Sequence, residues 1–409
     1  MSAVKRTAVA VVSAALLAPA LLLAPAAQAA PDPKSDDKPK PPARMSSVGG
    51  ERLGRAGVQV DLGPGVPVLP QGLSARSWIV ADAQTGEVLA AQNAHWRLAP
   101  ASTLKMLFAD TVLPRLPKEQ VYQVKPTDLE GLGAGGSAVG VKENHTYKVH
   151  DLWLGVFLRS GNDAVRVLSS LNGGVAKTVD DMNAHARDLQ AVDTTVVSPD
   201  GYDAPRQVSS AYDLTLIARS GMQKKDFREY AATVRADFPG EQGEDGRRGS
   251  FRIETTNRLM TGQGGVTPYP GIAGVKNGNT THAGATFTGV AQRGERVLLV
   301  TVMNPQSGES QAVYRETARL LDWGFQAAGK VKPVGELVAP KNVDTGAQAA
   351  PPAPKAKQPP TRLAAAEETS SGAGIALAVA GAALMVLAGA VFLVNRKWPV
   401  PALARRRQD

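Results

Sequence analysis

Two proline-rich segments divide this 409-residue chain and limit which part of it can bury a core. Residues 30–74 are rich in Pro, Gly and charged side chains without an apolar period, and residues 331–371 repeat this character with the stretch APPAPKAKQPP. Such compositions bury too little apolar surface to offset the entropy lost on ordering, so both segments are predicted to be linkers, the first one disordered. One foldable unit, residues 75–330, lies between them.

The two ends of the chain are apolar and have the features of an exported, membrane-anchored protein. Residues 1–29 combine two basic residues with a long apolar run and end in Ala-Gln-Ala, which is typical of a signal peptide and its cleavage site. Residues 372–394 form an uncharged apolar run long enough to cross the roughly 30 Å hydrocarbon layer as a helix. Because positive charge stays on the cytoplasmic side, we expect the basic tail 395–409 inside the cell and the unit 75–330 outside.

The formal net charge of +9 does not indicate a nucleic-acid partner. The predicted signal peptide and tail hold +2 and +4 of it, which leaves about +3 for the rest of the chain. So small an excess over a domain of this size predicts no basic binding surface. The chain has no cysteine, so the exported unit must be stabilised by an ordinary hydrophobic core without disulfides.

The unit 75–330 alternates strand and helix patterns in an order typical of an α+β domain. Two apolar runs around a Gln-Thr-Gly turn predict a β-hairpin, and a helix follows from about Pro100. Helical patterns, VHDLWLGVFLRS and DAVRVLSSL, fill the middle and are separated by the break SGN, and three strand patterns and an amphipathic helix close the unit. We therefore predict one antiparallel sheet built from both ends of the unit and flanked by helices, with a helical insertion that carries the SGN break.

The stretch APASTLKMLF places Ser102 and Lys105 at the start of the first predicted helix. Residues three apart share a helix face, so the amine can reach the hydroxyl and remove its proton, which a serine needs to become a nucleophile. The same residues also fit a helix-start hydroxyl beside a surface lysine. Two further Ser-x-x-Lys stretches, SAVK and SDDK, lie in the predicted signal peptide and linker, so the spacing alone decides nothing.

Two other short stretches combine polar side chains with glycine. Ser160 and Asn162 in SGN lie between two apolar helical patterns, where they either present a hydroxyl and an amide to a cleft or form a simple helix–helix turn. Lys276, Asn277 and Gly278 in VKNGNTTHAG end a strand pattern, where they either bring a cation and backbone N–H groups to an anionic substrate or form a hairpin turn.

Ser-x-x-Lys, Ser-x-Asn and Lys-x-Gly follow one another in the order found in penicillin-binding proteins and class A β-lactamases. With the stretches VADAQTGEVLAAQNAHWRLAPASTLKML, LRSGNDAVRVL, DMNAHARDL, SPDGYD and TTNRLM, residues 75–330 resemble the penicillin-binding serine D-alanyl-D-alanine carboxypeptidases. The resemblance implies the β-lactamase/transpeptidase-like fold, a peptidoglycan stem peptide ending in D-Ala-D-Ala as substrate and β-lactams as covalent inhibitors. It implies neither a cofactor nor a metal.

The resemblance also assigns roles to individual residues. Ser102 would attack the carbonyl between the two D-alanines and Lys105 would accept its proton. Ser160 and Asn162 would relay protons and hold the substrate amide, and Lys276 would attract the substrate carboxylate, with Asn277 and Gly278 beside it. The backbone N–H groups of Ser102 and Asn279 would form the oxyanion hole.

Four questions stay open at this point. Asn277 stands where the family has threonine, which predicts altered specificity or β-lactam affinity, because an amide N–H₂ still donates. A class A β-lactamase would need a glutamate after the SGN motif, and no Glu occurs from Val165 to Arg228, so slow deacylation is expected. A non-catalytic wall-binding domain of the same fold is the other alternative. Arg293 or Arg296 could bind the substrate carboxylate, but the sequence does not place either in the cleft.

Overall fold

An antiparallel sheet of seven strands forms the centre of the computed structural model, which describes residues 40–243 and 247–341. The strands in chain order are β1 Val58–Val60, β2 Ala75–Asp82, β3 Glu87–Gln92, β4 Val121–Gln123, β5 Thr146–Lys148, β6 Arg235–Gln242, β7 Arg248–Glu254, β8 Ile272–Thr280, β9 Gly284–Arg293, β10 Arg296–Pro305 and β11 Gly335–Glu336. The sheet has the order β1-β3-β2-β10-β9-β8, with β11 also paired to β3, while β4–β5 and β6–β7 form two separate hairpin-like pairs.

Helices cover both faces of this sheet. In chain order they are α1 Lys105–Val112, α2 Val149–Arg159, α3 Asn162–Leu171, α4 Val175–Asp188, α5 Ala211–Gly221, α6 Lys225–Ala232, α7 Arg258–Thr261 and α8 Ala312–Ala327. Short 3₁₀ turns add Glu51–Gly54, Ala101–Leu104, Leu113–Arg115, Pro126–Asp128 and Gln263–Gly265. Helix α8 packs against β2, β9 and β10, and α5 packs against the sheet from the other side, next to α1.

Successive side chains of β2 point to opposite faces of the sheet and join two different hydrophobic cores. Trp78 and Val80 point toward α8 and join its apolar cluster, whereas Ile79 and Ala81 point to the opposite face and join the cluster formed with α1 to α6. All four are fully buried, as expected for a central strand whose side chains alternate between two covered faces. The predicted α+β fold, with strands from both ends of the unit in one antiparallel sheet and a helical insertion, is confirmed.

The predicted linkers are wrong where they reach the described residues. Leu53, in the first predicted linker, is fully buried, and β1 pairs with residues 90–92 of β3. In the second, Val334 and Leu337 are buried on either side of β11, which pairs with β3 at residues 87–88. These short segments cover one edge of the sheet and gain their order from that pairing, which local composition does not show.

The predicted signal peptide 1–29, membrane span 372–394 and tail 395–409 lie outside the described residues. Within residues 40–243 and 247–341, no helix has the length and apolar character needed to span a membrane.

Candidate active site

Ser102 and Lys105 meet at the start of the first helix, as their spacing predicts. Ser102 lies in the 3₁₀ turn Ala101–Leu104, and Lys105 begins α1. Side chains three residues apart eclipse each other in a 3₁₀ turn, which brings Lys105 Nζ to 2.8 Å from Ser102 Oγ. The same amine donates to the carbonyl oxygen of Asp200 at 2.5 Å, so the lysine is held beside the hydroxyl from two directions.

The environment of Lys105 favours its neutral form. The side chain is 1% exposed, and burial lowers its pKa to about 8, against the opposing attraction of Asp200 and Asp163. About a tenth of this amine is therefore unprotonated at pH 7, far more than for an exposed lysine. An unprotonated amine 2.8 Å from a hydroxyl can act as its general base.

The SGN motif folds as a sharp break between α2 and α3. Ser160 ends α2 in the left-handed conformation, with φ of 58°, and Asn162 begins α3. Both are 6% exposed, and among the described residues the Ser160 hydroxyl and Asn162 Oδ1 are buried without a hydrogen-bond partner. A buried polar atom without a hydrogen-bond partner lowers the stability of a fold. Two such atoms side by side therefore indicate groups that bind a ligand.

Asp163, directly after the motif, fixes one wall of the site. Its buried carboxylate accepts hydrogen bonds from the backbone N–H groups of Val139, Gly140 and Val141 at 2.8 to 3.1 Å, and from that of Ala164 at 2.9 Å. Residues 139–141 are thereby tied to the helix that carries Asn162. Sequence analysis did not single out Asp163, although it belongs to the quoted stretch LRSGNDAVRVL.

Strand β8 brings the KNG motif against the nucleophile. A Cβ atom at Gly278 would lie 2.6 Å from the backbone nitrogen of Ser102 and 2.8 Å from Thr286 Oγ1, so only glycine lets the strand approach this closely. Asn279 follows on the same strand. This approach brings the strand segment that carries Asn279 next to the Ser102 amide, as the expected oxyanion hole requires.

Lys276 lies in the interior of the site. It is 2% exposed, and its Nζ donates to the backbone oxygen of Asn277 at 2.8 Å. Burial, and secondarily the charge of Lys105, hold the pKa of Lys276 well below its ordinary value. The role of Lys276 toward the substrate carboxylate, implied by the resemblance, stays a prediction.

Two clefts open beside β8, and Asn279 lines both. The first, here named the Ser102 cleft, has a volume of about 450 Å³ and is lined by Ser102, Ala134, Gly135, Gly136, Ser137, Asn162, Asp200, Tyr202, Asp203, Asn279, Thr280 and Thr281. The second, the Arg258 cleft, has a volume of about 500 Å³ and is lined by Thr256, Arg258, Asn277, Gly278, Asn279, Ala285, Pro305, Ser307, Glu309, Gln311, Ala312, Val313 and Tyr314.

The arginine at the clefts is not one of the two that the sequence suggested. Arg293 lies between Tyr269 and Phe325 and pairs with Asp322, and Arg296 pairs with Asp82; neither lines a cleft described above. Arg258 does, from the first position of α7. The stretch TTNRLM, already noted as family-like, contains it, but only the fold shows that this segment borders β8.

The geometry agrees with comparisons to known proteins. Residues 66–307 match the profile of peptidase family S11, described as D-alanyl-D-alanine carboxypeptidase. The chain belongs to this D-alanyl-D-alanine carboxypeptidase family. The predicted resemblance is thereby confirmed.

Individual members of the carboxypeptidase family align over most of the described residues. D-alanyl-D-alanine carboxypeptidase DacB2 of Mycobacterium tuberculosis is 36% identical over 263 residues, which cover 64% of this chain and 84% of that protein. D-alanyl-D-alanine carboxypeptidase DacD of Escherichia coli is 29% identical over 276 residues, which cover 64% of this chain and 66% of that protein.

Solved structures place the fold in the same group. The crystal structure of a D-alanyl-D-alanine carboxypeptidase from M. tuberculosis H37Rv superposes with a TM-score of 0.60 at 33% identity, covering 68% of this chain and 99% of that one. The Streptomyces K15 DD-transpeptidase has the same fold, with a TM-score of 0.58 at 24% identity over 63% of this chain and 99% of its own.

Proposed function

We propose that this protein is a serine D-alanyl-D-alanine carboxypeptidase that removes the terminal D-alanine from peptidoglycan stem peptides. The observation that carries the proposal is the 2.8 Å contact between Ser102 Oγ and the buried amine of Lys105, next to the unpartnered polar atoms of Ser160 and Asn162. The names of the relatives support the same activity.

The proposed reaction begins with the attack of Ser102 Oγ on the carbonyl carbon between the two D-alanines. Lys105 accepts the hydroxyl proton, and the N–H groups of Ser102 and Asn279 hold the oxyanion that forms. Collapse of this intermediate breaks the C–N bond, and the leaving amine takes a proton by way of the Ser160 hydroxyl. Water then attacks the ester on Ser102, with Lys105 again as base, which releases the shortened peptide.

The Arg258 cleft supplies the expected partner for the terminal carboxylate of the substrate. Arg258 and the Asn277 side chain both line it, next to the strand that carries Asn279. Guanidinium and amide N–H groups donate hydrogen bonds, whereas a carboxylate only accepts them. This assignment replaces Arg293 and Arg296 as the carboxylate-binding candidates.

The proposal extends to inhibition and location. Penicillins should acylate Ser102 and leave slowly, because no Glu from Val165 to Arg228 can activate water in the manner of a class A β-lactamase. The carboxylates that line the Ser102 cleft are those of Asp200 and Asp203, and both already accept hydrogen bonds from neighbouring residues.

We also propose an extracellular catalytic domain anchored through residues 372–394, with the tail 395–409 in the cytoplasm.

Incubation with a labelled penicillin and with a stem pentapeptide tests the activity. Wild-type protein should give a long-lived covalent adduct and release D-alanine, and Ser102→Ala should do neither. Rapid turnover of penicillin would favour the β-lactamase alternative instead. Absence of both adduct and D-alanine from folded wild-type protein would favour a non-catalytic wall-binding domain.

A further inference from the structure

Asn277 has a defined amide orientation, because its oxygen is held from one side. Thr256 Oγ1 donates to Asn277 Oδ1 at 2.9 Å, and Lys276 Nζ lies 3.4 Å from the same oxygen. Two donors on one side select the carbonyl oxygen of an amide over its N–H₂ group. The amino group of Asn277 therefore faces away from Lys276.

Tyr314 lies on the side that the Asn277 amino group faces. Its hydroxyl donates to the backbone oxygen of Thr256 at 3.2 Å, which leaves its own oxygen free to accept. Burial raises the pKa of Tyr314 to about 12, and this shift is opposed by the charge of Arg258 and by a hydrogen bond from Asn277. Thr256 thus contacts both groups: its hydroxyl holds the amide oxygen of Asn277, and its carbonyl holds the hydroxyl of Tyr314.

These contacts decide which atoms the Arg258 cleft offers to a ligand. Asn277, Arg258 and Tyr314 all line this cleft. With the amide held as described, the side of Asn277 that carries the N–H₂ group faces Tyr314 and not Lys276. Glu309 also lines this cleft, and its carboxylate lies 3.4 Å from the guanidinium of Arg315. A rotated Asn277 amide would instead place its oxygen toward the cleft and repel an anion.

We infer that Thr256 is a positioning residue that holds the Asn277 amino group toward the Arg258 cleft and thereby makes this cleft selective for a substrate ending in a free carboxylate. The inference rests on the proposed function and deepens it. It also explains how asparagine serves at a position where threonine was expected: a freely rotating amide can present either face, and Thr256 removes that freedom.

Binding measurements on a Ser102→Ala background test the inference without turnover. We would titrate an acylated peptide ending in D-Ala-D-Ala, and the same peptide with a C-terminal carboxamide, by calorimetry. Adding Thr256→Val should weaken binding of the carboxylate peptide by about tenfold, the equivalent of roughly one hydrogen bond, and change carboxamide binding less than twofold. Adding Thr256→Ser, which keeps the hydroxyl, should restore binding to within about twofold of the background.

A double-variant cycle separates positioning from a general structural effect. If Thr256 acts through Asn277, Thr256→Val should have no further effect once Asn277→Ala is present. Thr255→Val is a matched control, because the hydroxyl of Thr255 accepts from the Asn257 backbone, whereas the donors to the Asn277 oxygen in the described structure are Thr256 and Lys276. It should leave the ratio of carboxylate to carboxamide affinity unchanged, and thermal unfolding should verify that each variant is folded.

Three outcomes would overturn the inference. Equal weakening of the two peptides by Thr256→Val would show a general loss of site structure. Additive losses from Thr256→Val and Asn277→Ala would show that the two residues act separately. Failure of the Ser102→Ala protein to bind either peptide would reject the substrate class, and thus the proposed function together with the inference.

Discussion

Gly278 lies so close to Ser102 that a Cβ at residue 278 would be 2.6 Å from the Ser102 backbone nitrogen. This approach joins the strand of one motif to the 3₁₀ turn of another. A single added methyl group would disturb this contact, because Ala101 and Thr286 close the remaining space at 2.8 Å.

Gly278→Ala should therefore reduce acylation strongly. The methyl group would push β8 away from Ser102 and misplace the oxyanion donors, for which we expect a loss of about 10²-fold or more in the rate of reaction with labelled penicillin. Gly63→Ala is the control, since a Cβ there meets no atom within 4 Å, and its rate should equal that of wild type. An unchanged rate in Gly278→Ala would contradict the close approach.

The buried amine of Lys105 predicts a pH dependence. Its pKa of about 8 means that the base is protonated, and unable to accept the Ser102 proton, at lower pH. The second-order rate of acylation should rise about tenfold per pH unit below this value and level off above it. Stopped-flow acylation from pH 6 to 10 measures this. A rate that stays flat from pH 6 to 9 would exclude Lys105 as the base under these conditions.

Asp163 should prove more important for stability than an exposed aspartate. Asp163→Ala leaves the N–H groups of Val139, Gly140 and Val141 without their acceptor, and we expect a loss of about 3 kcal/mol in the free energy of unfolding. Asp237, which is exposed and pairs with Arg252 in a surface contact of 3.4 Å, is the control. Its alanine variant should change stability by less than about 0.5 kcal/mol in urea unfolding.

Asp213, which lines neither of the two clefts, predicts that the free energy of unfolding changes with pH. Burial, together with the charge of Asp193, raises its pKa to about 7, and its Oδ1 has no partner among the described residues. The folded state binds the proton of Asp213 more tightly than the unfolded chain does. The contribution of this proton to the free energy of unfolding is therefore complete below about pH 4 and is lost as the pH rises through 7.

Asp213→Asn removes this titration. The difference in unfolding free energy between the variant and wild type should therefore shift in favour of the variant between pH 5 and pH 8, by roughly 1.4 kcal/mol for each unit through which the aspartate titrates. Urea unfolding at several pH values gives this difference. A difference that does not vary with pH would mean that Asp213 is ionised throughout.

Much of the site could be predicted because its motifs are local. The Ser102–Lys105 contact depends on a three-residue spacing, and the SGN break depends on a glycine between two apolar helices. The hairpin of β2 and β3 was likewise predicted from two apolar runs around a short turn. Each of these features is set by residues within a turn or two of one another, where backbone geometry leaves few choices.

Other residues could not be placed because their positions depend on distant partners. Arg258 and Tyr314 are 56 residues apart in the chain and meet only at the edge of β8. The segments around Leu53 and Leu337 look like linkers by composition, and they are ordered by pairing along β3. The lowered pKa of Lys105 and Lys276 likewise comes from burial, which no motif reports.

The sequence by itself determined the order of the three motifs, the hairpin and helices that carry them, and the α+β class, because these follow from local spacing and periodicity. Only the tertiary structure decided which arginine lines the cleft, how the Asn277 amide is turned and that burial lowers the pKa of Lys105. Those properties arise from contacts between chain segments far apart in sequence, and from the removal of water that such contacts bring.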